Sequence, residues 1–413
     1  MPAVIDTSRI LALAAAIGPT LALYNALGVA PLFVVTALAA TAASARAKPW
    51  LAVSRIAALG LAALVAWTGL SMLWTIEPGT GAYTTVRMLG FAVGGLILLA
   101  AARDLDSSGQ SRVGLGLVIG VTIALVMATI EIYARGPGGM VFYMRHPPYD
   151  QYVPRLGRGL TVAAILLAPA MLAAWRSGRK AWALSLFVLA LVVFAGGRTL
   201  SAKLALAASP GLFLLAWWRP RWTGRAVATV MIGVVLAFPL LALIPSPQET
   251  MDRYPWLPNS THHRLTIWNF TANRILEHPV LGWGIEAARS IPDGETTLRL
   301  WHFSDKYREV GWPDGRAPVD EQLMPLHPHS AAGQVWLELG AVGAVLLCLL
   351  LALTGRTLGA WPDRIEAAVA LTTFFSAFIV ASVSYGFWQS WWMSTLWLTA
   401  VFCVALRQRP NSG

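Results

Sequence analysis

The chain has 413 residues, of which 56% are hydrophobic and only 12% charged, and 31 Lys and Arg against 20 Asp and Glu give a formal net charge of +11. That apolar excess lies outside the range of soluble domains and inside the membrane class. It argues against nucleic-acid binding as the origin of the charge, because the basic residues are scattered over short loops instead of forming one stripe.

Crossing about 30 Å of hydrocarbon takes roughly 17 to 25 apolar residues. About twelve such runs are expected, at 10–26, 29–45, 52–74, 82–102, 113–133, 159–175, 181–195, 200–217, 226–244, 331–353, 367–385 and 389–406. The first two and the seventh are short or interrupted by proline, so counts of eleven or thirteen stay open. The first run leads straight into the second with no small-residue cleavage site, which predicts a retained signal anchor. Cys348 and Cys403 fall inside predicted spans, where a thiol behaves as a small buried hydrophobe. The expected fold is an all-α polytopic membrane protein in three parts. Residues 1–244 hold spans one to nine, 245–330 form a long, partly helical segment outside, and 331–413 hold spans ten to twelve with the C-terminal tail.

Lys and Arg accumulate in cytoplasmic loops, so the short loops set the orientation. With the N-terminus inside, every even-numbered loop is basic: Arg46, Lys48 and Arg55; Arg103 and Arg112; Arg176, Arg179 and Lys180; Arg219, Arg221 and Arg225; Arg356 and Arg364; Arg407 and Arg409. The intervening short loops are poor in basic residues, 75–81 and 384–388, for example, carrying none. Both termini are therefore expected in the cytoplasm, and two larger segments, 134–158 and 245–330, outside. Trp256, Trp268, Trp283, Trp301 and Trp312 in the longer one argue against disorder. A short amphipathic helix is predicted over 264–276, with Leu265, Trp268, Phe270 and Ile275 on a membrane-facing side.

The outer side also collects cations at span ends: Arg87, Arg158, Arg198 and Lys203, joined by Arg264. Many arginines in such places snorkel to the interface. A cluster on one face nonetheless suits an anion held at headgroup level, and Arg grips phosphate oxygens in a bidentate way. Arg198 is the most constrained, because Gly196 and Gly197 leave a hairpin too short to carry it away from the bundle. His329 precedes Ser330, a predicted N-cap for the helix that begins at Ala331 and runs through Gln334 and Glu338. The helix dipole and nearby arginines disfavour imidazolium, which makes His329 a candidate general base. His327 and His329 lack a Cys or carboxylate to complete a metal ligand set, so neither metal nor cofactor is expected. Asp104 and Asp106 fall on the cytoplasmic side and read as a solvated loop.

These stretches resemble the bacterial O-antigen ligases and the wider superfamily that includes polysaccharide polymerases and protein O-oligosaccharyltransferases. The run Gly196-Gly197-Arg198-Thr199-Leu200 is similar to the family's Ser-Arg-Gly segment. Arg264 through Trp268, with Pro279-Val280-Leu281-Gly282-Trp283-Gly284, is similar to its Arg-x-x-x-Trp and Pro-x-x-Gly-x-Gly blocks. His329-Ser330 with Glu338 and Gly340 is similar to its His-Asn block, Ser330 standing where Asn is usual. The resemblance implies a GT-C-like glycosyltransferase of the bacterial inner membrane acting on the periplasmic face. It implies an undecaprenyl-diphosphate-linked glycan as donor, lipid A-core as acceptor, and membrane lipids as the remaining partners. In that reading His329 is the base of a metal-independent, inverting transfer, and Arg198 and Arg264, with Arg158, hold the diphosphate. Arg87, Lys203, Trp268, His327 and Glu338 are secondary candidates. A polymerase or a protein O-oligosaccharyltransferase would share the donor site. A transporter is the competing class, disfavoured because its site would lie at the midplane between related repeats.

Overall fold

The computed structural model describes residues 6–44, 55–134, 156–303, 308, 311 and 314–408. Arg46, Lys48, Trp312, Arg409 and most of the expected outer segment 134–158 lie outside the described residues. The helices are α1 (Thr7–Asn25), α2 (Val29–Ser44), α3 (Arg55–Leu70), α4 (Pro78–Arg103), α5 (Ser107–Tyr133), α6 (Gly157–Arg176), α7 (Lys180–Gly196), α8 (Leu200–Trp218) and α9 (Pro220–Ala237). They continue as α10 (Pro247–Arg253), α11 (Asn259–Glu277), α12 (Ala331–Gly359), α13 (Arg364–Val383) and α14 (Ser390–Ala405). Among the described residues nine helical stretches are long and apolar enough to cross a membrane, and α7 and α14 are shorter apolar helices. This makes the protein a polytopic, mostly helical membrane protein.

The first of the nine stretches, Thr7–Ala43, is two helices folded back on each other about a 3-10 turn at Ala26–Gly28. A Cβ on Gly28 would come within 3.0 Å of Leu21, and one on Gly18 within 3.6 Å of Leu32, the pairing of an antiparallel hairpin. Helix starts follow the local chemistry. Asp106 accepts from Gly109 N at 2.7 Å to cap α5, Asp363 accepts from Ile365 N and Glu366 N to cap α13, and Pro78 and Pro220 open α4 and α9. Asp106 is thus a helix cap rather than a merely solvated residue.

Small residues set the packing, as expected where lipid removes the hydrophobic driving force between helices. Gly116 and Gly120 of α5 let α1 approach so closely that a Cβ at either would lie 2.3 or 2.4 Å from the carbonyl oxygen of Ala12 or Ala15. Gly224 of α9 and Gly355 of α12 do the same for that pair, a Cβ on Gly224 falling 2.3 Å from Gly355 O.

The basic loops share one end of the bundle. Arg176 pairs with buried Glu366 at 2.7 Å and donates to Leu406 O at 2.6 Å. Gln110 donates to Arg407 O at 2.8 Å, and Arg112 pairs with Asp6 at 2.6 Å. The start of α1, the α4–α5, α6–α7 and α12–α13 connections and the C-terminal end are therefore knit together, as the charge pattern predicts.

At the other end, three expectations need correction. The fold is not wholly helical: β1 (Thr297–Phe303) and β2 (Arg316–Gln322) form an antiparallel ribbon with Leu300 opposite Val319. The helix expected over 264–276 begins earlier, at Asn259. Its Ile275 does not face outward; with Ile267, Thr271 and Ala272 it is buried inside the protein. Helix α12 is broken at Gly340, whose φ of 62° and ψ of −162° lie where only glycine is comfortable. The break is filled by the run 279–284. Trp283 N and Gly284 N donate to the carbonyls of Leu337 and Glu338 at 2.8 and 2.9 Å, and Ala341 N donates to Pro279 O at 2.9 Å. Gly282, at φ 72°, permits the approach; a Cβ there would meet the Glu338 backbone at 2.6 Å. The Pro-x-x-Gly-x-Gly run is thus a backbone patch for a broken helix.

Candidate active site

At the end of the bundle opposite the basic loops, a cavity of about 670 Å³ opens between the α1–α2 turn, the starts of α6 and α8, helix α11, and the 384–389 connection. Arg158, Arg198, Arg264, His327 and His329 line it, and among the described residues no Asp or Glu does. Leu27 and Leu200, 63% and 40% exposed, form an apolar lip. The site is therefore a cationic chamber with a greasy edge.

Each cation arrives by a different element. Arg158 stands in the first turn of α6, its guanidinium 5.6 Å from the Trp391 ring. Arg198 sits in the turn between α7 and α8. Arg264 comes from α11, four residues and one helical turn before Trp268, so the two side chains share a face. Burial draws the Arg264 pKa down from its ordinary value, with the Tyr385 phenol opposing. A guanidinium keeps its proton regardless, so a buried positive charge faces the cavity, with no carboxylate among the described lining residues to neutralise it.

The two histidines are presented by a tight, held turn. Trp268 Nε1 donates to Pro328 O at 2.9 Å, and His329 takes the left-handed conformation with φ 51°. His329 N donates to His327 Nδ1 at 3.2 Å, which requires that nitrogen to be unprotonated. The His329 Nδ1 is bonded to the Ser384 carbonyl oxygen. A carbonyl only accepts, so Nδ1 carries the proton and Nε2 keeps its lone pair. Burial is the largest cause lowering the His329 pKa, the Ser384 bond opposes it, and the Arg264 charge lowers it further. His327 is lowered to about 3, by burial first and then by His329, Arg289 and Arg158. Ser330 caps α12, accepting from Gly333 N at 3.3 Å, which aims the positive helix end at the same place. Chemically, this arrangement sets an imidazole with a free Nε2 lone pair beside three guanidinium groups, a set able to take a proton and to hold an anion.

Of the secondary candidates His327 lines the cavity, and Arg87, Lys203, Trp268 and Glu338 do not. Arg87 donates to Trp388 O at 2.8 Å and Thr84 Oγ1 at 3.1 Å and lies 3.8 Å from Glu286, and it does not line the cavity. Lys203 is also absent from the lining. Trp268 supports the histidine turn instead of facing the chamber. Glu338 is fully buried and accepts from Gln334, Glu286 N and Trp388 Nε1, with no bond to His329. Residues that sequence reasoning passed over also line the cavity, among them Asn25, Ser260, Tyr385 and Gln389. Tyr385 lies 3.1 Å from Thr161 Oγ1. The only signal for Tyr385 and Gln389 was their place in or beside a short loop, 384–388, free of cations.

The profile of the O-antigen ligase family matches residues 183–348, a stretch that holds Arg198, Arg264, His327 and His329 and leaves Arg158, Tyr385 and Gln389 outside. Among curated proteins the chain is similar to a "Putative polysaccharide ligase" of Rickettsia conorii, 26% identical over 76% of this chain and 72% of that protein. Proteins of the same description from Rickettsia felis and Rickettsia prowazekii are 26% and 25% identical, each over 83% of this chain and 79% of theirs. The matched stretch carries most of the cations and both histidines that meet at the cavity, and the relatives match 76% to 83% of this chain. The chain is thus similar to the O-antigen ligase family over the stretch that holds both histidines and two of the three arginines of the cavity.

Proposed function

We propose that this protein transfers a polysaccharide from undecaprenyl diphosphate to a sugar hydroxyl of lipid A-core, on the periplasmic face of the bacterial inner membrane. The observation that carries this reading is the chamber itself: Arg158, Arg198 and Arg264 with two histidines and, among the described residues, no acidic one in the lining. In that reading twelve helices cross the membrane, both termini are cytoplasmic, and the 245–330 segment covers the outer face.

The acceptor hydroxyl oxygen attacks the anomeric carbon, the bond from that carbon to the diphosphate oxygen breaks, and His329 Nε2 takes the hydroxyl proton. A positioned base contributes typically about 10²- to 10⁴-fold. The three guanidinium groups stabilise the charge that grows on the departing diphosphate, in a buried setting where such contacts are stronger than in water. The apolar lip suits the isoprenoid chain next to the diphosphate. Attack from the face opposite the leaving group inverts the anomeric centre.

The test is transfer in vitro from an undecaprenyl-diphosphate glycan to purified lipid A-core in EDTA, comparing wild type with His329→Ala and Arg198→Ala. The expected result is product from wild type and a loss of at least about 100-fold in each folded variant. Near-wild-type transfer by His329→Ala overturns the assigned base. Wild-type transfer onto glycan repeats or protein instead of lipid A-core reassigns the acceptor to the polymerase or protein O-oligosaccharyltransferase class.

A further inference from the structure

The ring bond that fixes the His329 tautomer ends on a backbone carbonyl of the 384–389 connection, and a loop carbonyl is only as well placed as its loop. This connection is clamped at three points. Trp388 Nε1 donates to Glu338 Oε2 at 2.7 Å, Phe387 N donates to Gln334 Oε1 at 2.7 Å, and Trp388 O accepts from Arg87 at 2.8 Å. Glu338 and Gln334 are joined to each other, Gln334 Nε2 donating to Glu338 Oε1 at 3.0 Å. Glu286 N also donates to Glu338 Oε2, at 2.8 Å, which ties in the segment that follows the patch in α12. Glu338, Gln334 and Trp388 are all at most 3% exposed.

We infer that Glu338 and Gln334 are positioning residues for the reaction: they act through Trp388 and Phe387 to hold the Ser384 carbonyl against His329, and the same connection presents Tyr385 and Gln389 to the cavity. This rests on the proposed function for its catalytic consequence, while the clamp itself is a matter of hydrogen bonds. Two residues one turn apart on α12 form an ordered chain, in which a carboxylate accepts three donors and an amide both gives and accepts. Direction matters in such a chain. Glu338→Gln supplies one amide oxygen, which Trp388 and Glu286 N require, so its new NH₂ points at Gln334. Gln334 must then turn its own oxygen inward, which sets its NH₂ against the Phe387 N–H, donor against donor. The clamp opens at Phe387. The exchanged pair Gln334→Glu/Glu338→Gln restores every bond: the new amide donates to the new carboxylate, whose other oxygen accepts from Phe387 N.

The experiment compares wild type, Glu338→Gln and Gln334→Glu/Glu338→Gln as full chains in detergent, with three readouts. Hydrogen–deuterium exchange over 384–389 reads the clamp, carbethoxylation of His329 by diethyl pyrocarbonate reads the imidazole, and transfer kinetics read the consequence. Glu338→Gln is expected to speed exchange at Phe387 about tenfold and to raise His329 reactivity. It should also lower kcat about 10- to 100-fold, with the donor KM within about twofold. The double variant is expected to return all three towards wild type. Unchanged exchange in Glu338→Gln, or no recovery in the double variant, overturns the clamp. Faster exchange with kcat and His329 reactivity unmoved overturns the positioning role. A wild type without transfer activity refutes the proposed function alone, because exchange and His329 reactivity still decide the inference.

Discussion

Trp268→Phe separates the support of the histidine turn from the chemistry it serves. Phenylalanine keeps most of the apolar ring of Trp268 and deletes the donor that reaches Pro328 O at 2.9 Å. The turn is a near balance. His329 at φ 51° costs about 1 to 3 kcal/mol for a residue other than glycine. Against this stand the bonds Trp268 to Pro328 O, His329 N to His327 Nδ1, and His329 Nδ1 to Ser384 O. At about 0.5 to 1.5 kcal/mol each they contribute about 1.5 to 4.5 kcal/mol. Pro328 is buried, so losing its partner leaves a carbonyl unpaired and costs about 1 to 3 kcal/mol. The substitution therefore removes most or all of the margin that keeps His329 in place. With about 1.4 kcal/mol per tenfold in rate, kcat is expected to fall about 5- to 150-fold. The assay is steady-state transfer with donor and acceptor varied independently, beside a thermal midpoint in detergent. Donor KM should stay within about twofold, because the arginines are not moved. A kcat within twofold of wild type, or a loss carried entirely by donor KM, refutes the reasoning.

Two further predictions concern pH and backbone. His329 is held below its ordinary 6.5 by burial and by Arg264, and it works unprotonated, so the acid limb of kcat/KM lies below that value and Arg264→Met moves it upward. Because His327 and His329 both have folded pKa values lowered below 6.5, the unfolded chain binds more protons in acid. The thermal midpoint should then fall as pH drops from about 7 to about 5, and a midpoint that rises instead contradicts the sign. Gly340→Ala places a Cβ 2.2 Å from Val280 O at φ 62°, which costs at least about 1 to 3 kcal/mol. A clear drop in thermal midpoint or in monodisperse yield is expected, and a wild-type midpoint would show that α12 tolerates straightening.

The helices were legible in the sequence because bilayer thickness and charge asymmetry leave few ways to thread so apolar a chain. The ribbon was not: β2 reads Arg-Ala-Pro-Val-Asp-Glu-Gln, with Pro318 and two acids obscuring any alternation, and strands pair through backbone that side-chain pattern does not report. Arg158, Arg198, Arg264, His327 and His329 stood out because a charged or titratable group is conspicuous against apolar surroundings, and the structure brings all five to one cavity. Tyr385, Gln389 and Asn25 stayed hidden because each falls at the edge of an expected span, where an uncharged polar residue has little cost to explain. Glu338 and Arg87 were conspicuous as charges in apolar surroundings, but their partners were not legible. Both are buried or half-buried, and their partners include the Trp388 carbonyl, the Trp388 indole and the Glu286 backbone, which sequence distance conceals.

The patch in α12 bears on how relatives of this protein can be recombined. An outer segment joined to its membrane helices only by flexible connections could be exchanged between homologues to transplant acceptor preference. Here Pro279, Trp283 and Gly284 complete the hydrogen bonding of Leu337, Glu338 and Ala341, and an unpaired backbone group in hydrocarbon costs several kcal/mol. A chimera cut at the polar–apolar boundaries would strand those groups unless the 279–284 run and Gly340 came from the same parent. Grafts that keep the two together, and exchange only the ribbon and its flanks, are the ones the architecture permits.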